Sequence, residues 1–294
     1  MDKVAVVLVN YNGEKYCKKC IDSIMNQTYP DIDIIFVDNA SGDGSVSMVK
    51  KEFPHVKVMA LKENMGFTGG NNIGIKKAIE RQAEYLLLLN TDTELMDCNM
   101  VSRMAEEADE NTAVIPAIYS DRQKKAIWYT GGKMDRKNAV FWNTGNYDNA
   151  NSTVYVSYMV GCCMFIHKNI FAKVGLFDES FFLYCEDGEL SVRMYRAGVK
   201  MKYLPDVWVW HKVQFRKSGS YYIYYFNRNY YYTLDKHKGY FGVTVKECIL
   251  KDIKVIKKNF YSADFYKNKY IIMAIIDYLL KRMGRRNRIE IWKE

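Results

Sequence analysis

Three apolar runs in the first hundred residues each end in a cluster of polar side chains. The clusters are VNYN (9–12), VDNASGDGS (37–45) and NTDTE (90–94). Any one of them is also the pattern of a solvated turn. If the runs are strands of one parallel sheet, the clusters meet at its carboxyl edge, where ligands usually bind. The sequence therefore predicts a crevice there, in which Asp38 either accepts a hydrogen bond from a base or ribose or caps its own turn.

Strands and helices alternate along this stretch, so the elements that hold the clusters can be predicted. Apolar runs without alternation suit strands covered on both faces, and they lie at 4–9, 32–38, 56–61 and 85–89. Helical patterns lie between them, at 14–26, in a short segment that ends near residue 53, and at 71–83. This order favours a doubly wound α/β sheet with right-handed crossovers.

A glycine-rich segment, NMGFTGGNN (64–72), precedes the third predicted helix. Its Gly66, Gly69 and Gly70 would let the backbone approach a ligand closely at a helix start. The spacing matches neither GxGxxG nor a P-loop, so the segment alone does not identify a ligand.

The pattern is looser in the rest of the chain. It predicts a hairpin or a flexible excursion at 126–147, a strand entering a helix at 157–171, a helix at 186–198 and a last strand at 199–211. From about residue 215 the composition shifts to aromatic and basic helices. We therefore predict one α/β domain over residues 1–215 and a helical, basic and aromatic extension over residues 216–294.

Composition and cysteine usage are typical of a globular protein from a reducing compartment. The chain has 294 residues, of which 49% are hydrophobic and only four are proline. Its apolar start is too short for a signal peptide, and no apolar stretch reaches the roughly 20 residues of a membrane span. Seven cysteines, an odd number, also fit a reducing compartment. The sequence thus predicts a cytoplasmic protein made without export.

Neither pair of closely spaced cysteines indicates a functional site. Cys17 and Cys20 form a CxxC, but the segment has helical spacing and no second CxxC completes a zinc site. Cys162 and Cys163 lie in an apolar run, which predicts core positions for both.

The formal net charge of +9 and the pI near 9.0 suit nucleic acid, an anionic membrane surface or phosphorylated substrates. Basic residues are most frequent toward the C-terminus, alternating with Tyr, Ile and Leu, which favours a bilayer surface. The segment 264–284 has helical length and a broad apolar face, followed by the basic end of KRMGRRNR (281–288). This face either packs on the protein or a second subunit, giving a homodimer, or lies in a membrane interface. Its apolar residues are Phe265, Ile272, Ile276, Leu279 and Leu280.

The ordered segments between residues 4 and 211 resemble the family 2 inverting glycosyltransferases, in particular their rhamnosyltransferase-like group. The resemblance is carried by VLVNYNG, VDNASGDGS, NMGFTGGNNIGI, LLLLNTDTEL, GCCMFI, VGLFDESFFLYCEDGELSVRMYRAG and the late His211. It implies a GT-A fold, in which a mostly parallel, doubly wound sheet binds a nucleotide-diphosphate sugar. The implied donor-binding residues are Asn10, Asn12, Asp38, Ser41, Asn64, Gly66, Asn71, Asn90 and Asp92.

A metal site is implied at the end of the leucine-rich strand. The family has a DxD motif there, which holds the donor diphosphate through a divalent cation; here Asn90 replaces the first carboxylate and Asp92 remains. His211 resembles the family's distal metal ligand, although a histidine can also simply cap a strand. The implied cofactor is Mn2+ or Mg2+, and a nitrogen ligand favours Mn2+.

The acidic pair Glu186 and Asp187 resembles the family's ED motif, in which the aspartate is the general base. An acidic pair at a helix start is also favoured by the helix dipole alone. Inversion by a single displacement needs one carboxylate that takes the acceptor proton. The resemblance therefore assigns catalysis to Asp187, with Glu186 beside it.

The resemblance predicts a transferase that moves a sugar from dTDP-rhamnose or a UDP-hexose to a hydroxyl of a polyprenyl-linked glycan at the inner face of the plasma membrane. The QxxRW motif of processive synthases is absent, since Gln214 is followed by FRKS, which favours limited sugar addition. A sugar nucleotidyltransferase is the alternative enzyme, but its GxGTR-like loop is missing. A nucleic-acid-binding protein is disfavoured, because acidic strand ends repel phosphate without a metal.

Overall fold

The computed structural model describes residues 1–123, 126–143, 153–212, 219–260, 262 and 264–286. Its strands are β1 (Val4–Asn10), β2 (Ile32–Asp38), β3 (Lys57–Ala60), β4 (Tyr85–Asn90), β5 (Thr93–Leu95), β6 (Thr112–Tyr119), β7 (Ile127–Tyr129), β8 (Gly132–Asp135), β9 (Val140–Asn143), β10 (Val154–Val156), β11 (Cys163–His167) and β12 (Lys200–His211). Its helices are α1 (Glu14–Met25), α2 (Ser45–Glu52), α3 (Gly66–Glu80), α4 (Met100–Glu107), α5 (Lys168–Val174), α6 (Glu186–Arg196), α7 (Ser220–Lys236), α8 (Val245–Asn259) and α9 (Phe265–Leu279).

Ten strands form one sheet with the order β10-β12-β6-β11-β4-β1-β2-β3, and β5 and β7 pair with β12 and β6. Strands β3, β2, β1 and β4 are parallel, and β12 is parallel to β6. Because β11 is antiparallel to both β4 and β6, all six of these strands run in one direction. The predicted doubly wound, mostly parallel α/β sheet is confirmed.

The carboxyl ends of the central strands form one continuous edge, as the sequence predicts. Asn10 pairs in register with Asp38 on β2, and Val9 pairs with Asn90 on β4. The leucines of β4 are buried on a strand that lies inside the sheet between β1 and β11, and the strand becomes polar where it reaches the edge. His211 ends β12, which runs in the same direction as β4, so it lies at the same edge.

Helix α3 begins at Gly66 rather than at the predicted residue 71, so the glycine-rich segment forms its first turns. Close packing on the sheet explains this difference. A Cβ built on Gly70 would lie 2.7 Å from Val9 Cγ1, and one on Gly74 would lie 2.3 Å from Val7 Cγ1. The glycines at these two positions therefore bring α3 onto β1 instead of leaving backbone open to a ligand.

The C-terminal helices pack on the sheet-bearing part of the chain. Helices α7, α8 and α9 share a core with α6 and with the β8–β9 hairpin; its buried members are Ala139, Val192, Tyr231, Leu234, Phe241, Cys248 and Tyr278. The hairpin confirms the prediction for 126–147 as far as residue 143, and residues 144–147 lie outside the described part. The predicted boundary at residue 215 also lies outside it, so the two-part division stays a prediction.

Within the described ranges, no helix is long and apolar enough to cross a membrane. The predicted helix over 264–284 is present as α9, which ends at Leu279. The end of the basic KRMGRRNR cluster, residues 287 and 288, lies outside the described residues. Cys17, Cys20, Cys162 and Cys163 are buried free thiols.

Candidate active site

Asn10 organises the first two strand ends. It has no exposed surface, and its Nδ2 donates to Asp38 Oδ1 at 2.8 Å and to Ser45 Oγ at 2.8 Å. Its Oδ1 accepts from the thiol of Cys17 at 3.1 Å, which gives this half of the CxxC a structural partner. Asn10 therefore fixes Asp38 and the following loop from inside the protein.

Asp38 binds the loop that it precedes. Its Oδ2 accepts from the Ser41 amide at 2.9 Å and its Oδ1 accepts from the Ser41 hydroxyl at 2.6 Å. Asn12, at φ 52°, donates its backbone N–H to Ser41 Oγ at 2.9 Å, and its Oδ1 accepts from the Gly42 amide at 2.8 Å. Asp38 is almost fully buried, whereas Asn12 is exposed and Ser41 half-buried. A ligand at this edge would meet Asn12 and Ser41 first.

The glycine-rich segment lies between the β2 end and the loop before α6. The Asn64 Oδ1 accepts from the Gly66 amide at 2.8 Å, and Asn71 Nδ2 donates to the Phe67 carbonyl within α3 at 2.9 Å. Gly66 has φ +74°, and a Cβ there would lie 2.3 Å from the carbonyl oxygen of Phe182. Glycine is required at this position both by its left-handed backbone and by that close approach.

Asp92 and His211 form a pair at the same edge. The His211 Nε2 lies 3.3 Å from Asp92 Oδ1, and the imidazole ring is 5.4 Å from that of Trp128. Burial lowers the pKa of His211, but Cys162 and Asp92 outweigh it and raise the pKa to about 10. Asn90 ends β4 beside them with a half-buried side chain.

These residues fit a divalent cation that is shared with a phosphorylated ligand. Among the described residues, no group of three or more His, Cys, Asp or Glu side chains could hold a metal ion. Asp92 Oδ1 and His211 Nε2 nevertheless converge at the strand edge, where a bound cation would take the place of the proton that the raised pKa of His211 favours on the ring. Mg2+ in nucleotide sites commonly takes one or two protein ligands and completes its shell with phosphate oxygens and water.

Asp187, the second residue of α6, is held by three donors. Its Oδ2 accepts from the Tyr158 hydroxyl at 2.9 Å and from the Gly161 amide at 3.1 Å, and its Oδ1 accepts from the Gly188 amide at 2.7 Å. Burial raises the pKa of Asp187 above its ordinary value of 3.8, although these hydrogen bonds oppose the rise. The side chain keeps part of its surface open to solvent.

Glu186 is more deeply buried than Asp187. Its Oε2 has no hydrogen-bond partner among the described residues. Burial and the neighbouring Asp187 together raise the pKa of Glu186 well above its ordinary value of 4.5. Of the two acids, Asp187 is therefore the one equipped to carry a negative charge.

The segment Gly161–Cys162 brings Asp187 and the β4 end together. The Gly161 amide donates to Asp187, and the next residue, Cys162, accepts at its carbonyl from the Asn90 amide at 3.0 Å. The base candidate and the Asn90–Asp92 segment thus contact adjacent residues of one loop. Tyr158 and Gly161 were missed at the sequence level, because a tyrosine and a glycine before a strand carry no signal of a long-range contact to an acid.

Glu189 and Arg193, on the same helix as Asp187, face away from this edge. The buried Glu189 carboxylate pairs with Arg193 and lies 3.1 Å from His237 Nε2 on the C-terminal side. Burial raises its pKa, but the bond to His237 and the charge of Arg193 outweigh it and lower the pKa to about 2. Glu189 therefore joins α6 to the helical extension, whereas Arg193 joins α6 to the Val174 and Gly175 carbonyls at the end of α5.

The mostly parallel sheet with polar strand ends, the acidic helix start and the covering C-terminal helices agree with the GT-A fold that the resemblance implies. The profile described as glycosyl transferase family 2 matches residues 5–175 of the chain. Because this match covers more than half of the sequence, the chain belongs to glycosyl transferase family 2, and it is rhamnosyltransferase-like.

Curated relatives are similar over much of the chain. The N-acetylglucosaminyl-diphospho-decaprenol L-rhamnosyltransferase of Mycobacterium tuberculosis is 23% identical over 278 residues, covering 83% of this chain and 88% of the relative. The low-salt glycan biosynthesis hexosyltransferase of Haloferax volcanii is 24% identical over 214 residues, covering 68% of this chain and 64% of the relative.

Solved structures share the fold at low sequence identity. GalNAc-T7, crystallised with UDP, GalNAc and Mn2+, has a TM-score of 0.64 and is 17% identical. The match covers 80% of this chain and 48% of the GalNAc-T7 chain. A mannosyltransferase from Pyrobaculum calidifontis, in complex with GDP-Man and Mn2+, has a TM-score of 0.60 at 14% identity, covering 96% of this chain and 88% of the other.

Proposed function

We propose that this protein is an inverting, non-processive glycosyltransferase that moves one sugar from a nucleotide-diphosphate donor to a hydroxyl of a glycan acceptor. The observation that carries the proposal is Asp187. It is a partly open carboxylate held by Tyr158 and Gly161, and it lies one residue along the 161–162 loop from the edge that presents Asn90 and Asp92. A base beside a diphosphate-binding edge is the arrangement that a single displacement requires.

In the proposed reaction the acceptor oxygen bonds to the anomeric carbon as the bond from that carbon to the diphosphate oxygen breaks. Asp187 takes the proton of the acceptor hydroxyl, and the nucleoside diphosphate leaves with the electron pair of the broken bond. Attack from the face opposite the leaving group inverts the anomeric centre. The hydrogen bonds from Tyr158 and Gly161 hold one oxygen of Asp187, so its lone pairs keep a fixed direction toward the acceptor.

At the donor, Asp92 and His211 are the proposed ligands of Mn2+ or Mg2+. When bound, such an ion neutralises the diphosphate and so makes it a better leaving group. Asn12 and Ser41, the open polar groups of the first two strand ends, are the proposed contacts to the nucleotide. Asn10 and Asp38 act behind them by fixing the loop. Asn64, Gly66, Asn71 and Asn90 are proposed to shape the donor side of the same edge, Asn64 and Asn71 from buried positions behind its surface.

The donor proposed first is dTDP-rhamnose, with a UDP-hexose as the alternative, and the acceptor is a polyprenyl-linked cell-surface glycan. The activity for which the mycobacterial relative is named, transfer of L-rhamnose to an N-acetylglucosaminyl-diphospho-decaprenol, supports both choices. An acceptor of this kind lies in a membrane, so we place the enzyme in the cytoplasm, against the inner face of the plasma membrane.

Replacing Asp187 with asparagine tests the proposed chemistry. Asp187→Asn keeps the shape of the side chain but removes the basic lone pair, so kcat should fall by about 10²-fold or more with little change in donor affinity. Donor affinity is measured by titration and kcat by nucleoside diphosphate release. A variant that loses donor affinity while its kcat survives would remove Asp187 from the role of base.

Replacing Asp92 with alanine tests the proposed donor site separately. Asp92→Ala should lose metal-dependent nucleotide binding and transfer together, because both depend on the cation. His211→Ala should instead raise the metal concentration needed for half-maximal activity. If Asp92→Ala keeps the turnover of the wild type at saturating metal, or if His211→Ala leaves the metal titration unchanged, the corresponding metal contact is wrong.

A further inference from the structure

We propose that Asn229, oriented by Arg228, is a positioning residue of the reaction, which holds the loop that aims Asp187 at the acceptor. The inference rests on the proposed role of Asp187 as the base. Both residues belong to α7, in the C-terminal extension, and both are completely buried although they are polar or charged. A buried arginine and a buried asparagine persist only where their hydrogen bonds are made in full.

The amide of Asn229 binds the loop that precedes α6. Its Nδ2 lies 2.8 Å from each of three carbonyl oxygens, those of Phe181, Leu183 and Tyr184. The next residue, Cys185, is the N-cap of α6, and Asp187 is two residues further on. A single side chain thus fixes the backbone that determines the direction in which α6, and with it Asp187, begins.

Arg228 orients that amide and extends the contact. Its Nε and Nη2 donate to Asn229 Oδ1 at 3.0 and 2.9 Å, so the amide nitrogen faces the loop. Its Nη2 also reaches the Phe181 carbonyl at 3.2 Å, while its Nη1 donates to the Gly284 carbonyl at 2.7 Å. The loop before the base is thereby joined to the chain that follows α9.

The loop adopts a backbone that needs such support. Phe182, Tyr184 and Cys185 have φ values of 64°, 69° and 69°, in the left-handed region that side chains other than glycine rarely occupy. Conformations of this kind persist when the surroundings overdetermine them, and they cluster at active sites. On the other side of the loop, the Phe67 amide at the start of α3 donates to the Phe182 carbonyl at 2.7 Å. The loop is therefore clamped between α3 and α7.

A misdirected base affects the chemical step more than donor binding, because Asp187 meets the acceptor and not the nucleotide. Displacing a catalytic group by about 1 Å can reduce the rate by about 10²-fold. We therefore expect Asn229→Ala to lower kcat by about 10- to 100-fold while the donor dissociation constant stays within about twofold. Asn229→Asp keeps the size and the contact to Arg228 but puts a carboxylate oxygen where the amide donated to the three carbonyls, so it should lower kcat at least as much.

The deciding experiment is a double-mutant cycle with Asp187→Asn. If Asn229 acts through Asp187, adding Asn229→Ala to Asp187→Asn should cause almost no further loss of kcat, since the group being positioned has already lost its function. The matched control is Asn227→Ala on the same helix, whose amide donates to the Ile223 carbonyl at 2.7 Å, within α7 itself. This control should keep the wild-type kcat.

The possible outcomes separate the inference from the proposed function. Losses that add fully in the cycle, or a wild-type kcat in both Asn229 variants, would overturn the positioning role while Asp187 remains the base. If Asp187→Asn itself keeps its kcat, the base assignment fails and the inference fails with it. Should Asn229→Ala not fold, as judged by its melting curve, the aspartate variant carries the test.

Discussion

Glu186 and Asp187 are neighbours in sequence but lie in different surroundings. Asp187 accepts hydrogen bonds from a hydroxyl and two amides, whereas an oxygen of Glu186 has no hydrogen-bond partner in the described chain. Burial raises the pKa of both acids, and hydrogen bonds to the charged form oppose that rise more strongly at Asp187. The surroundings of the two acids separate their pKa values in the direction that favours a charged Asp187 and a neutral Glu186.

The pH profile should report the hydrogen bond from Tyr158. Because the pKa of Asp187 is raised, the base is active above that pKa, and kcat/KM should fall as the pH drops through a value above 3.8. Tyr158→Phe removes a donor that lowers this pKa, so the acid limb should move to higher pH.

Tyr155→Phe, at a position that is 64% exposed, is the matched control and should leave the limb in place. The measurement is kcat/KM for the acceptor at saturating donor, from acid to neutral pH. An acid limb that stays unchanged in Tyr158→Phe would contradict the assignment of that limb to Asp187.

At the scale of the elements, α3 shows how glycine fits a helix closely to a sheet. Gly74 lies against Val7, on a strand with neighbours on both sides, so β1 cannot move away from an added methyl group. Overpacking of this kind costs about 1–3 kcal/mol, which exceeds the gain of up to about 1 kcal/mol in helix propensity.

Gly74→Ala should therefore reduce the free energy of unfolding by about 1–2 kcal/mol and lower the melting temperature. Gly42→Ala is the control, because a Cβ there would meet nothing within 4 Å. The measurement is the melting temperature of Gly74→Ala, Gly42→Ala and the wild type by thermal unfolding. Equal melting temperatures for Gly74→Ala and the wild type would mean that α3 can shift away from β1.

Local patterns in the sequence were enough to predict β1 to β4, β11, β12, most helices and the shared edge of Asn10, Asp38 and Asn90, because each follows from hydrophobic period and chain order. The central strand β6, the short strands β7 and β10 and helix α4 were not predicted. The early start of α3 was not predictable, since glycine ordinarily weakens a helix and the packing on β1 that favours it is a contact between distant segments. The short strand β5 begins within the polar NTDTE and was not predicted either, because it forms by pairing with a distant segment. Its partner is β12, more than a hundred residues further along.

Roles that depend on contacts between distant residues could not be read from the sequence either. Tyr158 supports an acid 29 residues away, and Asn229 binds carbonyl groups 45 to 48 residues away. Every residue has a backbone carbonyl whatever its side chain, so the carbonyls that Arg228 and Asn229 bind could not be predicted from the sequence. The donor, metal and base roles themselves still rest on the resemblance and on the proposed function.

At the scale of the whole molecule, α9 has two faces. Asp277 is buried against α7, where Tyr224 donates to it at 2.6 Å and Arg286 pairs with it. The opposite face carries a stripe of exposed side chains, Phe265, Lys269, Ile272, Ile276 and Leu279. The inner face of α9 therefore packs on the protein, which is one of the two alternatives from the sequence. The outer stripe, formed by the five exposed side chains, is not covered by any other part of the described chain and leaves the second alternative, a membrane interface, open.

The excess of positive charge around α9 favours an anionic bilayer as the binding partner of the outer stripe. Between residues 245 and 286 the sequence has eleven lysines and arginines against four aspartates and glutamates. The side chains of Lys281 and Arg282, directly after the stripe, are 67% and 65% exposed. Apolar side chains flanked by cations bind reversibly at the lipid headgroup boundary, and each basic residue contributes about 1 kcal/mol.

We expect the protein to co-sediment at low salt with vesicles of phosphatidylcholine and phosphatidylglycerol, and much less with phosphatidylcholine alone. Lys281→Gln with Arg285→Gln should weaken binding by about tenfold or more, and Ile276→Ser with Leu279→Ser should weaken it through lost apolar contact.

Arg286 is left intact, because removing it would leave the buried Asp277 without its charge partner. Lys50→Gln with Lys51→Gln, exposed residues of α2, removes the same charge elsewhere and should keep binding. If the α2 control loses as much vesicle binding as the lysine and arginine variant, the binding depends only on net charge. If both α9 variants bind vesicles like the wild type, the outer stripe of α9 does not contact the membrane and is better explained as a contact for a second protein.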